Sequence, residues 1–454
     1  MEPTTFYLQS LGCPKNRVDS EVILGSLMNA GYKPVEEPLE AQLIVVNTCA
    51  FIESATEESI EAILELAQAK KLGQCELLVV ARCLPQRYGR KLVRSMPEVD
   101  LFVGTSSFVY LAEILAHKQR DDLERLNLEP PRFLMTAETP RILSAPFYSA
   151  YLKVAEGCSN RCSFCTIPAI RGPYRSRPLN DLLQEAEWLA SQGVVELNLV
   201  AQDTTAYGSD LDTILRLPDL LAALAKNDNF RWIRVLYGYP QKIDGKLLQT
   251  MASLESVCKY LDLPLQHVSP HLLKAMGRSG SAREFLKLVA MIRQHLPEVT
   301  LRTTLIVGFP GETQEDFQEL YEFVEEARFQ RLGLFAYSPE RGTRAALFSD
   351  TVEESVKVQR LQVLAALQEK ISLDYNNRLV GTAQPVLLEG LSDESDLLLQ
   401  GRLASQAPEV DGCVLINKGF GKVGDIVTAR ITEAHPHDLI GEIAEPPNPP
   451  RSAD

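Results

Sequence analysis

Residues 156–168 read EGCSNRCSFCTIP, and they follow without a break on the apolar run YLKVA at 151–155. A short run of that kind ending at a glycine predicts a strand, which sets Cys158, Cys162 and Cys165 in a CxxxCxxC spacing at the strand's carboxyl end. Nine of the 454 residues are cysteine, and at that frequency the spacing arises by chance on the order of 0.004 times. Three thiolates so close in sequence can take one iron each of a cubane iron–sulfur cluster and leave the fourth iron open. An open position is what a substrate or cofactor needs in order to coordinate, just as catalytic zinc keeps one place vacant. A zinc knuckle is the competing reading, but the closest histidines, His117 and His267, do not have a knuckle's spacing.

Outward from this loop the chain repeats one plan. YLKVAEG is followed by VELNLVAQD, WIRVLYGYP, YLDLPLQ, LRTTLIVGF and RLGLFAYS, each leading into a helical segment. Six βα units without reversal predict an open or partial (βα)6 barrel over 143–378, closed by a long amphipathic run at about 352–377. Upstream, TFYLQS, LIVVNT, LLVVAR and LFVG alternate with helical stretches such as ESATEESIEAILELAQAKK, the pattern of a doubly wound parallel α/β domain over 4–120. The polar, proline-punctuated stretch 121–142 reads as a linker with room for a short strand. Downstream, short strands between turn residues predict a small antiparallel β-barrel over 379–446, followed by a disordered tail at 447–454. The expected class is α/β with an appended β-barrel.

Composition narrows the function. Forty-six Lys and Arg against sixty Asp and Glu give a net charge of −14, a poor match to a protein that grips phosphate backbones by bulk electrostatics. No apolar run approaches the roughly 18 residues of a membrane span, and the start MEPTTFYLQS has no basic segment before a long apolar one. A cytoplasmic protein is expected, and in that compartment nine cysteines are ligands, catalysts or buried small hydrophobes rather than disulfides.

Cys13 (SLGCPKN), Cys49 (VVNTCAF) and Cys83 (VVARCLP) each stand just past the carboxyl end of an expected strand of the first domain. Those ends lie along one edge of a parallel sheet, where ligands bind, so residues about 35 apart in sequence can converge. Buried structural thiols are the alternative. Cys75, Cys258 and Cys413 match no ligand pattern and are expected to be small hydrophobes.

The CxxxCxxC loop at the end of the first strand of a βα series resembles the signature of the radical S-adenosylmethionine (SAM) superfamily. Together with GCPKNRVDSE and NTCAFI, it makes almost the whole chain resemble the methylthiotransferases. The resemblance implies two 4Fe-4S clusters. One, on Cys158, Cys162 and Cys165, would chelate SAM through its amino and carboxylate groups; the auxiliary one, on Cys13, Cys49 and Cys83, would carry the sulfur to be inserted. It implies one-electron cleavage of SAM to methionine and a 5′-deoxyadenosyl radical that abstracts hydrogen from an unactivated C–H bond, and a TRAM-like C-terminal barrel. Within the family, GCPKN, AQDTTAYG and DLPLQHVSP are similar to members that methylthiolate the β-carbon of an aspartate in ribosomal small-subunit protein S-twelve, giving 3-methylthioaspartate. An electron donor such as flavodoxin or ferredoxin and a sulfur donor are implied partners.

Other candidates follow from position and charge. TLIVGFPGET ends a strand at Gly308 and lacks the Lys-Ser/Thr of a phosphate loop. It resembles the strand edge that receives adenine in radical SAM enzymes, with Ile306 and Gly308 as contacts; a tight turn explains the glycines equally well. Gln202, Asp203, Gln266 and His267 stand at strand ends facing the barrel mouth. Gln202 is a cofactor contact and His267 a substrate contact on this reading, with a packed histidine as the alternative. Arg171, Arg175 and Arg177 in RGPYRSRP offer bidentate pairing to the carboxylates of SAM and a target aspartate, unless they are solvated.

Residues 379–445 hold four Lys and Arg against eleven Asp and Glu, an acidic barrel suited to a basic protein and unsuited to RNA, unless those charges are a solvated face. Two competing functions remain. A tRNA methylthiotransferase (adenosine 2-methylthiolation) shares every cluster ligand, and a two-cluster electron-transfer protein would fill all four positions of each cluster with protein thiolates. The sulfur donor, the electron donor and the numbered target residue are not legible.

Overall fold

The structure, a computed structural model, describes residues 4–118, 125–144, 146–393 and 395–443; the expected tail at 447–454 lies outside them. The first strands are β1 (Thr5–Ser10), β2 (Lys33–Pro34), β3 (Leu43–Thr48), β4 (Leu77–Arg82), β5 (Leu101–Val103) and β6 (Leu126–Asn127). They pair in parallel in the order β2-β1-β3-β4-β5-β6. All six positions of β3 are buried, because both faces of a parallel sheet are covered, and LIVVNT accordingly shows no polar alternation. Val18, Val22 and Leu27 of α1 (Pro14–Asn29) pack on Val45 and Val79 on one face, and Ile63 and Leu66 of α2 (Glu53–Leu72) cluster with Ile44, Val46 and Val80 on the other. The strand order reverses between β1 and β3, the switch point where doubly wound sheets bind ligands.

Two short strands, β2 and β6, were not marked by any strong apolar run, and β6 lies within the expected linker. The rest of that stretch is packed: Met135 is buried, and Arg141 bridges Glu21 of α1 and Glu185 of the barrel.

The second series gives β7 (Ser149–Lys153), the short antiparallel pair β8 (Ala155–Glu156) and β9 (Arg175–Ser176), then β10 (Glu196–Val200), β11 (Trp232–Val235), β12 (Tyr260–Asp262), β13 (Thr300–Val307) and β14 (Arg331–Ala336). They form two three-stranded parallel sheets, β7-β10-β11 and β12-β13-β14, joined by a bridge between Ile233 and Val257. No pairing joins β14 to β7 among the described residues, so the barrel is open. The helix Glu354–Asn377 packs Leu364, Leu367 and Ile371 against it, with Lys357, Arg360 and Gln368 buried beside them.

Strands β15 (Ala383–Ser392), β16 (Ser395–Leu403), β17 (Val414–Lys418), β18 (Ile426–Ala434) and β19 (Leu439–Ile443) close a barrel in the order β15-β16-β17-β19-β18. Four seams are antiparallel and β17–β19 is parallel. Part of this module's charge turns inward. Its Arg402 holds Glu196 of β10, fully buried, through Nη2 at 2.7 Å, with Arg234 Nη2 at 3.0 Å on the same carboxylate. Asp411 takes Arg302 Nη1 and the Tyr260 hydroxyl, both at 2.7 Å, and Glu409 meets Arg17 Nη1 at 2.6 Å. These pairs join the module to the rest of the chain, and since Asp411 and Glu409 are spent in them, the charge count overstates the free negative charge. No helix of the described residues is long and apolar enough to cross a membrane.

Candidate active site: two cysteine cradles on one cavity

Each cysteine of the first domain is presented by a different strand–helix junction. Cys13 caps α1, with Pro14 at the first helical position, a placement that aims backbone N–H groups at its thiol. Gly12 (φ +95°) allows this loop to lie on the next: a Cβ there would sit 2.7 Å from Cys49 Cβ. The Cys49 backbone is pinned by Ser59, whose hydroxyl accepts from Cys49 N–H and donates to Cys49 C=O. Cys83 opens the helix Cys83–Tyr88 directly after Arg82, a non-glycine residue at φ +81°. Asn16 ties the junctions together, donating to the carbonyls of Leu11 (3.0 Å) and Thr48 (2.9 Å).

Beneath these thiols lies a buried ionic cluster. Asp19 pairs with Arg82 and with Lys153 Nζ at 2.5 Å; Glu156 receives Lys153 Nζ at 2.9 Å and Arg171 Nη1 at 3.0 Å. Arg171 also donates to Asn16 Oδ1 at 2.6 Å and stands 3.8 Å from Cys83 Sγ. Three cations against two carboxylates leave one positive charge under the cradle, the sign that favours thiolates. Burial pushes the Cys13 thiol up, but Lys15, Arg171 and the backbone N–H groups of Asn16 and Lys15 outweigh it and hold the thiol below its ordinary value. Cys49 is pushed up to about 12 by burial and by Cys83 and Cys13, which outweigh the Phe51 N–H and Arg171.

In the barrel, Cys158, Cys162 and Cys165 hang on the loop after β8. Burial raises Cys158 and takes Cys165 up to about 12. Arg278 supplies the local cation: it donates to Pro264 C=O at 2.7 Å, lies 3.7 Å from Cys162 Sγ and stacks 4.5 Å from the Tyr239 ring centroid.

All six cysteines line one cavity of about 470 Å³. Tyr237 (φ +60°) and Gln266 (φ +74°), two non-glycine residues in left-handed conformation, line it as well. Strain of this kind persists only where surrounding bonds over-determine it. Tyr237 N–H donates to Asp262 and its carbonyl accepts from Thr204, while Gln266 is bonded on both sides to β13. Gln202 lines the cavity, donates to Glu156 and leaves its Oε1 buried without a partner. Asp203 lines it too, held by Lys242 and Asn160. Among the described residues no three His, Cys, Asp or Glu side chains converge on a single-ion site. Thiolates sharing one zinc at about 2.3 Å would be mutual neighbours, whereas a cubane takes each at a separate iron. Each triad brings three thiols to the cavity, the donor type that iron–sulfur clusters take.

The structure does not bring every expected residue here. Arg171 reaches the cavity but is committed to Glu156, Asp19 and Asn16. Arg177 is fully buried in ion pairs with Asp181 and Glu185 and faces away. Arg175 donates to the carbonyls of Pro173, Phe133 and Arg171. His267, fully buried, accepts from Ser269 N–H and points Nε2 at Glu312, 3.7 Å away, outside the cavity lining. Gly308 (φ +73°) packs against Lys357, whose Cγ would lie 2.3 Å from a Cβ, and neither it nor Ile306 lines the cavity. Gln266 and Phe335, which flank that strand end, do. Sequence reading missed Lys15, Tyr237, Tyr239 and Arg278, none of which has a spacing signal. Cys75, Cys258 and Cys413 do not line it.

Comparison with known proteins places these domains. Residues 5–104 match the family described as Uncharacterized protein family UPF0004, residues 152–324 the Radical SAM superfamily and residues 380–444 the TRAM domain. Near-full-length relatives are named ribosomal protein uS12 methylthiotransferase RimO. Those of Pelobacter propionicus and Geobacter sulfurreducens are each 50% identical over 436 and 434 residues, 96% of this chain and 97% of theirs. That of Myxococcus xanthus is 49% identical over 448 residues, 98% of this chain and 93% of its own. Among solved structures, the radical SAM methyltransferase TsrM from Kitasatospora setae, with cobalamin and a 4Fe-4S cluster bound, is similar in fold. Its TM-score is 0.57 at 15% identity, over 85% of this chain and 81% of that one.

Proposed function

Because the chain belongs to the RimO family of radical SAM methylthiotransferases, we propose that it methylthiolates the β-carbon of an aspartate in ribosomal protein uS12, giving 3-methylthioaspartate. The observation that carries this reading is the convergence of six cysteines from two domains on one cavity. Cys158, Cys162 and Cys165 would hold one 4Fe-4S cluster and Cys13, Cys49 and Cys83 a second. When bound, the first supplies the electron that cleaves SAM to a hydrogen-abstracting radical, and the second supplies sulfur.

The chain's own residues position and enclose. Arg278 offers positive charge to the barrel thiolates, and Arg171 offers it to the others. Gln202 Oε1 is a vacant buried acceptor on the barrel side, suited to an ammonium such as that of SAM. Phe51, Ile52, Phe164, Ile167 and Phe335 make much of the wall apolar, which limits water around a reactive radical. Division of the chain near residues 120, 142, 378 and 446 belongs to the same proposal, as do a cytoplasmic location, a flavodoxin- or ferredoxin-like electron donor and a separate sulfur donor.

Anaerobic reconstitution followed by turnover with SAM, dithionite and sulfide tests this on uS12 and on tRNA in parallel, read by mass spectrometry. A mass gain of one methylthio group on an aspartate of uS12 is expected. Modification of tRNA alone would replace the substrate while keeping the chemistry.

A further inference from the structure

Four charged side chains line the cavity: Lys15, Arg171, Asp203 and Arg278. Three are satisfied. Arg171 is bonded to Glu156 and Asn16, Asp203 to Lys242 and Asn160, and Arg278 to Pro264 C=O beside Cys162. Lys15 differs. It is only 8% exposed, and its ammonium makes no hydrogen bond or ion pair with any described residue; its one close partner is the Tyr237 ring, 3.3 Å from Nζ to the centroid.

The opposite charges that reach it are the Cys13 thiolate, which a cluster would take up, and carboxylates engaged elsewhere. Asp262 accepts from Tyr237 N–H and lies 4.0 Å from Arg302, and Glu156 is shared by Lys153 and Arg171. A largely buried ammonium whose one close contact is a π-face is poorly solvated and is suited to an anion that enters the cavity. The tyrosine beneath it is itself fixed in a left-handed conformation by bonds at both its N–H and its carbonyl, so the pair is a rigid platform and not a mobile surface lysine.

We infer that Lys15, seated on Tyr237, receives the carboxylate of the substrate's target aspartate and thereby selects an acidic side chain for sulfur insertion. The inference rests on the uS12 reading above. Position favours this anion over the carboxylate of SAM. Lys15 stands two residues beyond Cys13, on the first-domain side of the cavity, whereas the barrel thiolates have their own cation in Arg278. Each set of thiols therefore has a cation of its own, Arg171 beside Cys83 and Arg278 beside Cys162, and Lys15 is the further cation on the first-domain side of the cavity.

The test compares affinities of the full-length, cluster-loaded enzyme for uS12 and for uS12 with the target aspartate replaced by asparagine. Wild-type enzyme is expected to prefer the aspartate form by about tenfold to a hundredfold, the worth of a charge-assisted hydrogen bond in a desolvated site. Lys15→Met should reduce that preference to within about threefold, and Lys15→Arg should retain part of it. Iron per chain and the dissociation constant for SAM are measured on all three proteins. A preference that survives Lys15→Met overturns the inference. A loss of SAM affinity in Lys15→Met with the aspartate preference intact assigns the lysine to SAM and also overturns it. Iron lost from Lys15→Met makes the residue part of the cluster cradle, a third overturning result. Wild-type enzyme that ignores both forms of uS12 and binds tRNA would instead sink the substrate reading, and the inference with it.

Discussion

The two cysteine cradles serve one cavity but are built on opposite principles. The barrel triad occupies eight consecutive residues of a single loop, so its spacing is fixed by local chain geometry and one arginine beside Cys162 suffices. The first-domain triad comes from three strand ends, and its spacing depends on sheet order, on the close approach at Gly12 and on an ionic cluster drawn partly from the barrel. A local cradle can be read from a regular spacing; a distributed one exists only once the domains have docked. The first should therefore tolerate distant change, and the second should not.

The most severe way to test that contrast is to remove the cradles. Alanine at Cys158, Cys162 and Cys165 should leave about half the iron and abolish SAM cleavage, while alanine at Cys13, Cys49 and Cys83 should also halve the iron but stop only sulfur insertion. Iron analysis with quantification of 5′-deoxyadenosine and of modified uS12 separates the two. Unchanged iron after loss of the first-domain triad would refute the distributed cradle.

Next in size is the ionic cluster. Arg171→Gln should cost about 1.5 to 3 kcal/mol of stability, because it removes charge-assisted bonds to Glu156 and Asn16 while Lys153 and Arg82 still pair the two carboxylates, and should lower iron at the first-domain cradle selectively. Arg177→Gln, which removes the bonds to Asp181 and Glu185 and leaves Glu185 paired with Arg141, should cost a similar amount without selective iron loss. Denaturant unfolding and iron analysis on both variants check the distinction; equal iron loss would mean that the cluster acts only through stability.

The seam between the barrel and the C-terminal module provides a pH test. Arg402 and Arg234 overcome the effect of burial and hold Glu196 at about 2, against an ordinary 4.5. A depressed carboxyl contributes its stability above the unfolded value and loses it as pH falls toward the folded one, so the loss should run from about pH 4.5 down to 2 and reach about 3 kcal/mol. Acid unfolding of Glu196→Gln should show a smaller dependence across that window than wild type. The cradles, away from this seam, should keep their iron at neutral pH.

The smallest effect concerns the exposed acids. Since Asp411, Glu409 and Glu389 are paired with arginines, Asp393→Asn with Asp396→Asn should slow uS12 association by no more than about twofold at physiological salt. Stopped-flow rates at two ionic strengths measure it, and a tenfold change would mean that charge steering by these exposed acids governs the encounter after all.

These contrasts also explain what could be read in advance. The strand ends, the local triad and the plan of three modules were legible because each follows from a run of apolar residues or a fixed spacing. The short strands β2, β6 and β19 were not, since two to five residues carry little periodicity. The arginine loop misled for a different reason: a sequence shows that Arg171, Arg175 and Arg177 are present, but their availability depends on Glu156, Asp181, Glu185 and carbonyls contributed by the fold. In the acidic C-terminal module, likewise, the sequence counts the charges but does not show that Asp411, Glu409 and Glu389 are paired with arginines. Lys15, the cavity cation with no hydrogen-bonded partner among the described residues, is distinguished only by what the fold leaves around it.

The ionic cluster beneath Cys13 and Cys83 also imposes a chronology. Asp19 and Arg82 leave the ribosome with the first domain, but Lys153 and Arg171 emerge only with the barrel. The nascent first domain can complete its sheet while Arg82 is the one member of this cluster available to Asp19, and Cys83 must wait for Arg171. The half of the site read last from the messenger thus completes the half made first, and a chain interrupted between the two carries three cysteines whose electrostatic floor has not yet been synthesised.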